Sequence, residues 1–194
     1  EVTVSTATIE LAGTELQVDV HQPSFGFPRG TALVAHGWTR SRNRHSDLGR
    51  ALAEAGVTAV IPDLPNVMNL WGNGDAVVEL VQRLEAGALG LPPIRRPSLV
   101  LIGTSAGGLA TLLASAQLPG IAGWIGLDPV DRTGTGSEAA SRMDAPAVVM
   151  LGESSGCNLF GSGRSIARAL PRLLRNSRID GASHCDFEAP TNNF

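Results

Sequence analysis

Hydrophobic and polar positions alternate at the start of the chain. Val2, Val4 and Thr6 are followed by Thr14 to Val20, with Gly13 between the two runs. Period-two patterning on both sides of a glycine predicts an antiparallel hairpin. Pro23 to Gly30, rich in Pro, Gly and Phe, predicts a loop. The pattern then changes to short, continuous apolar runs of the kind that form parallel strands buried on both faces. These are Thr31–Ala35, Val57–Ile61, Leu99–Ile102, Ile121–Leu127 and Ala147–Leu151, with a short last strand at Ser177–Ile179. Helical spacing lies between them, at Ser46–Ala55, Asp75–Leu84, Ala106–Ala116 and Ser165–Leu174. Asp131 to Asp144 is polar and rich in Gly and Ser, which predicts a loop with room for one short helix and no large lid.

Two strands followed by repeated strand–helix units predict a mostly parallel sheet with helices on both faces. No repeat, linker or low-complexity tract divides the chain, so residues 1–194 read as one α/β domain.

Composition narrows the function. The chain is 43% apolar and 17% charged, with net charge −3 and no lysine among its 15 basic residues. That balance gives no electrostatic case for nucleic acid or an anionic membrane. No apolar run reaches transmembrane length, and a monomer is expected. The start at Glu1-Val2-Thr3-Val4 and the end at Asn192-Asn193-Phe194 look processed or trimmed. Cys157 and Cys185 fall in loops that this topology brings to one sheet edge, which favours a disulfide and a secreted protein.

The candidate chemistry begins at Gly103-Thr104-Ser105-Ala106-Gly107, a G-x-S-x-G pattern. A serine on a sharp strand-to-helix turn presents its Oγ above the sheet, and the flanking glycines remove side chains that would clash there. Gly152-Glu153-Ser154-Ser155-Gly156 fits the same pattern but has no helix directly behind it. Ser105 is therefore the predicted nucleophile, and Ser154 reads as a polar loop residue.

A serine hydroxyl needs a base. Of the four histidines only His184 follows Ser105, as the order nucleophile, acid, base requires. His21 reads as a surface or structural residue, His45 as solvent-facing, and His36 as a residue that holds its loop. For the acid, Asp128 ranks first, Glu153 second and Asp131 third. Asp180 and Asp186 lie too close to His184 in sequence. The oxyanion donors expected are the backbone N–H groups of Ala106 and Trp38. Trp38 and Trp71 are candidates to line the substrate site.

These residues resemble the chlorophyllase-type branch of the α/β-hydrolases. The likeness is carried by His36-Gly37-Trp38, Arg42-Asn43, Leu48, Leu52, Gly56 and Ile61-Pro62-Asp63-Leu64. It continues through Gly103 to Gly108, Gly126-Leu127-Asp128-Pro129-Val130, Cys157-Asn158 and Ser183 to Phe187, and spans roughly residues 31 to 188. Cutinase-like polyester hydrolases resemble the same elbow and H-G-aromatic loop. The resemblance implies the α/β-hydrolase fold and supports Asp128 over Glu153 as the acid. Thr104 stands where that branch carries His, and Ala106 where it often carries Arg or Met. These departures argue against chlorophyll as substrate and leave ester hydrolysis untouched.

The expectation is a serine carboxylic-ester hydrolase acting on small-molecule or polymeric esters, with no metal or organic cofactor. The alternatives are a cofactor-free perhydrolase or haloperoxidase, and a catalytically silent binding protein on the same scaffold.

Overall fold

The computed structural model describes residues 1–65 and 68–191. The expected chain end at Asn192-Asn193-Phe194 lies outside the described residues. Among the described residues eight strands form one sheet: β1 (Val2–Leu11), β2 (Thr14–Pro23), β3 (Thr31–Ala35), β4 (Thr58–Pro62), β5 (Leu99–Thr104), β6 (Gly123–Leu127), β7 (Ala147–Leu151) and β8 (Leu173–Arg178). Their spatial order is β1-β2-β4-β3-β5-β6-β7-β8. The hairpin β1–β2 is antiparallel and joins β4 antiparallel, and every pairing from β4 to β8 is parallel.

Among the described residues five α-helices cover the sheet: α1 (Ser46–Glu54), α2 (Leu70–Glu85), α3 (Ala106–Ser115), α4 (Thr135–Ser141) and α5 (Gly163–Ala169). The main core joins Leu33, Val60, Leu101 and Val149 of the sheet to Leu80 and Leu84 of α2, Leu112 of α3, Ala140 of α4 and Ile166 of α5. The opposite face is smaller. There Ala32, Val34, Ala59, Ile61 and Ile102 meet Leu48 and Leu52 of α1. Adjacent strand residues therefore feed different cores, and this is why the parallel strands read as continuous apolar runs. Among the described residues no helix is long and apolar enough to cross a membrane.

Several boundaries differ from the sequence reading. Helix α2 begins at Leu70, not Asp75, because the Asn69 side chain caps it by accepting from the Gly72 amide at 3.0 Å. Helix α5 ends at Ala169, and Leu170 is already extended ahead of Pro171, as the residue before a proline tends to be. Leu173 and Leu174, expected at the end of that helix, open β8 instead. The polar stretch after Asp131 does hold one short helix, α4. Its first turn is anchored by the Asp131 carboxylate, which accepts from the amides of Gly136 and Ser137.

The parallel strands all end at one edge of the sheet, so the loops after β3, β5, β6, β7 and β8 gather there. Strands β3 and β5 are neighbours although β4 intervenes in sequence. The chain thus reverses its direction of winding between them, and such a switch point opens a crevice at the carboxyl ends of the strands.

Candidate active site

Ser105 stands at the corner between β5 and α3. Its backbone has φ 56° and ψ −123°, a conformation that costs an ordinary residue on the order of 1–3 kcal/mol and persists only where its surroundings impose it. The flanking glycines show what imposes it. A Cβ at Gly103 would lie 2.2 Å from the Gly107 carbonyl oxygen, and one at Gly107 would lie 2.3 Å from the His36 oxygen. At Gly108 it would meet Pro129 Cβ at 2.7 Å. Only hydrogen fits at all three positions, so α3 can pack directly against the end of β3. Ala106 is the first residue of α3, so its N–H has no acceptor within the helix.

The loop after β3 faces this corner. A Cβ at Gly37 would lie 3.2 Å from Ser105 Cβ and 3.7 Å from Ser105 Oγ. His36 holds the loop. Its Nε2 accepts from the Leu64 amide at 3.0 Å, which leaves Nδ1 to donate to the Gly37 carbonyl at 2.8 Å. Both bonds belong to a neutral ring, and burial lowers the His36 pKa in the same sense. His36 is thus a structural clamp on the Gly37–Trp38 backbone.

Asp128 directly follows β6 and is 1% exposed. Its Oδ2 accepts from His184 Nδ1 at 2.6 Å and from Asn158 Nδ2 at 3.0 Å, and its Oδ1 accepts from the Gly152 amide at 3.1 Å. A carboxylate this buried needs such donors. His184 opens a 3-10 turn, His184–Phe187, whose capping box is formed by Ser183 and Asp186. Among the described residues Ser105 Oγ has no hydrogen-bond partner, although Ser105 and His184 line the same cleft. Contacts of this kind are often long in unliganded sites.

The other acids are engaged elsewhere. Glu153 points to the surface, where it pairs with Arg178 and accepts from the Gly181 amide. Asp131 accepts from Ser165 Oγ as well as from the first turn of α4. Burial works to raise its pKa, but the bonds from Ser165, Ser137 and Gly136 outweigh it and hold the carboxyl below its usual value. Ser154 is exposed in coil.

Asn158 was missing from the sequence-derived site. It is fully buried in a 3-10 turn, Gly156–Asn158. Its amide donates to Asp128 and to the Glu153 carbonyl, while its Oδ1 accepts from the amides of Ser155 and Gly161. All of its hydrogen-bonding capacity is spent on orienting Asp128 and the loop after β7. The only sequence signal was its place in the Cys157-Asn158 pair. His45 is also unlike its expectation. It is fully buried rather than solvent-facing, and burial, with a smaller repulsion from His36, pushes its pKa down to about 4. His21 is buried where Gly49 of α1 comes down on β2; a Cβ there would lie 2.9 Å from its ring.

Ser105 divides an apolar cleft. One half, about 360 Å³, runs past Trp38, Arg40, Leu159, His184 and Glu188. The other, about 310 Å³, is lined by Trp38, Leu70, Ala106, Val130, Arg132 and Leu159. Trp38 borders both halves. Trp71 borders neither, because α2 turns Leu70 inward and leaves Trp71 half-exposed. Cys157 and Cys185 are free thiols on the cleft walls, not a disulfide. Cys157 is exposed in the turn after β7, while Cys185 sits in the His184 turn with its Sγ 4.0 Å from Arg40 Nη2. Burial first, and then the Glu188 carboxylate, raise the Cys185 pKa, so this thiol stays protonated and is a poor rival nucleophile.

No family profile and no curated protein matches the chain. The dienelactone hydrolase of Anabaena variabilis superimposes with a TM-score of 0.79 at 19% identity, over 94% of this chain and 88% of that one. Solved chains that match number 1170, so the likeness carries architecture rather than any one activity. Sheet order, crossovers and this superposition agree: the chain has the α/β-hydrolase fold.

Proposed function

We propose that the protein is a serine carboxylic-ester hydrolase that works through an acyl-enzyme. The observation that carries this reading is the 2.6 Å bond from His184 Nδ1 to buried Asp128, which leaves Nε2 as the base on the cleft that Ser105 lines. As Oγ attacks the ester carbonyl, its proton passes to His184 Nε2. Asp128 stabilises the imidazolium that forms, and the amides of Ala106 and Trp38 receive the oxyanion. The tetrahedral adduct collapses, and His184 returns the proton to the leaving alcohol. Water then attacks the acyl-enzyme by the same route in reverse roles and releases the acid.

The two apolar halves of the cleft suit the acyl and alcohol sides of the substrate, with Trp38 touching both. A lactone is a cyclic ester, so the activity named for the similar Anabaena protein falls within the same reaction class. The test is labelling by a fluorophosphonate, followed by hydrolysis of a p-nitrophenyl ester series of rising acyl length. Labelling at Ser105, absent in Ser105→Ala, is the expected result. A folded wild type that neither labels nor hydrolyses any member of the series would sink the reading.

A further inference from the structure

Arg40 and Glu188 are 148 residues apart in sequence and meet in a bidentate pair at the cleft wall. Arg40 Nε donates to Oε1 and Nη2 to Oε2, each at 2.7 Å. The two side chains are 10% and 5% exposed. A buried ion pair contributes little net stability compared with an apolar pair of similar size, so stability alone does not account for these two charges at the cleft wall. Its placement does.

Arg40 belongs to the loop of the proposed oxyanion donor. Its own N–H closes a turn on the Gly37 carbonyl at 3.2 Å, and its Cγ lies 3.6 Å from where a Gly37 Cβ would stand. Gly37 in turn packs on Ser105. At the other end, Glu188 directly follows the His184–Phe187 turn, and its N–H caps that turn on the Cys185 carbonyl at 3.1 Å. The next residue, Ala189, exchanges backbone bonds with the 3-10 turn Arg42–His45 and the first turn of α1, from Asp47 N–H to Ala189 O and from Ala189 N–H to Arg44 O, both at 2.9 Å. The segment carrying His184 is therefore moored to the β3–α1 connection, and Arg40–Glu188 is a side-chain tie between the same two segments, beside the weaker bond from Thr104 Oγ1 to the Phe187 carbonyl at 3.4 Å.

We propose that the Arg40–Glu188 pair is a positioning clamp that fixes the distance between the oxyanion loop and the His184 turn. This rests on the serine-esterase reading above. The clamp does not touch the reacting atoms; it holds two separately folded loops at the spacing that proton transfer and oxyanion binding both need. Small errors in that spacing are costly, because orientation is a large part of catalytic rate.

The test compares wild type, Glu188→Gln, Arg40→Lys, Arg40→Met and the double variant Arg40→Met/Glu188→Leu. The readouts are kcat, KM, the fluorophosphonate labelling rate and Tm. Glu188→Gln is expected to lower kcat about 30-fold with KM within about twofold of wild type. Arg40→Lys, which keeps the charge without the fork, should recover to within about fivefold of wild type. The double variant should be no slower than the slower single variant, since it leaves no buried charge unpaired. If Glu188→Gln does not fold, the double variant carries the same test against wild type. Tm loss with kcat held within about threefold would make the pair merely structural and overturn the proposal. So would a rise in KM at unchanged kcat, which would make the pair a substrate contact. Loss of all labelling and hydrolysis in wild type would mark failure of the esterase reading instead.

Discussion

Gly103–Gly107 and Gly152–Gly156 share one five-residue pattern, and each follows a parallel strand of the same sheet. At the first corner the chain turns at once into α3 and holds Ser105 at a positive φ. Its glycines are packed so closely that a Cβ would overlap backbone atoms. At the second corner the chain continues as exposed coil into a 3-10 turn, and a Cβ at Gly156 would meet nothing within 4 Å. This corner serves the first instead. Its Gly152 amide and Asn158 side chain hold Asp128, which in turn holds His184. The pentapeptide becomes an elbow only where a helix must pack back against the neighbouring strand, since that packing imposes the strain at the serine.

The comparison can be broken most sharply at the serines. Ser105→Ala should lower kcat/KM by at least about 10⁴-fold, whereas Ser154→Ala should stay within about twofold; steady-state hydrolysis of a p-nitrophenyl ester decides. The acids come next. Asp128→Asn should lower kcat by about 10⁴-fold by reversing the tautomer that His184 presents. Glu153→Gln, which loses only its exposed partners Arg178 and Gly181, should retain near wild-type rates. A full rate in Asp128→Asn with loss in Glu153→Gln would reverse the assignment of the acid.

The glycines offer a stability version of the same contrast. Gly103→Ala should destabilise by more than about 4 kcal/mol and Gly156→Ala by no more than about 0.5 kcal/mol, measured by chemical unfolding. A loss smaller than those at Ser105, Asp128 and Gly103 is expected at Asn158. Removing its amide leaves Asp128 short of one donor, so Asn158→Ala should cost about 2 kcal/mol of stability and lower kcat about tenfold. An unchanged kcat there would mean that Gly152 alone suffices to orient Asp128.

Part of this site was legible from residue order and local pattern. The strand before Ser105, the glycines around it and the helix after it are all encoded within Leu99–Ser115. The mostly parallel sheet was legible too, because strands buried on both faces must be apolar throughout. Pro171 is an equally local signal for the end of α5, and the helix expected over Ser165–Leu174 runs past it. His45 looked solvent-facing because it sits among polar neighbours at a helix start. It is buried by the packing of that corner, which no local pattern records.

What the sequence by itself determined is the fold class and the one serine able to stand on a strained turn, for these follow from turn chemistry and hydrophobic period over short spans. The sequence also ranked Asp128 first among the acids. The tertiary structure alone decided which side chains hold that carboxylate, that Leu70 rather than Trp71 reaches the cleft, and that the cysteines stand free. It also joined Arg40 to Glu188. The physical reason is distance along the chain. These contacts link residues brought together only by strand order, and a partner 30 or 148 positions away leaves no trace in the spacing of its neighbours.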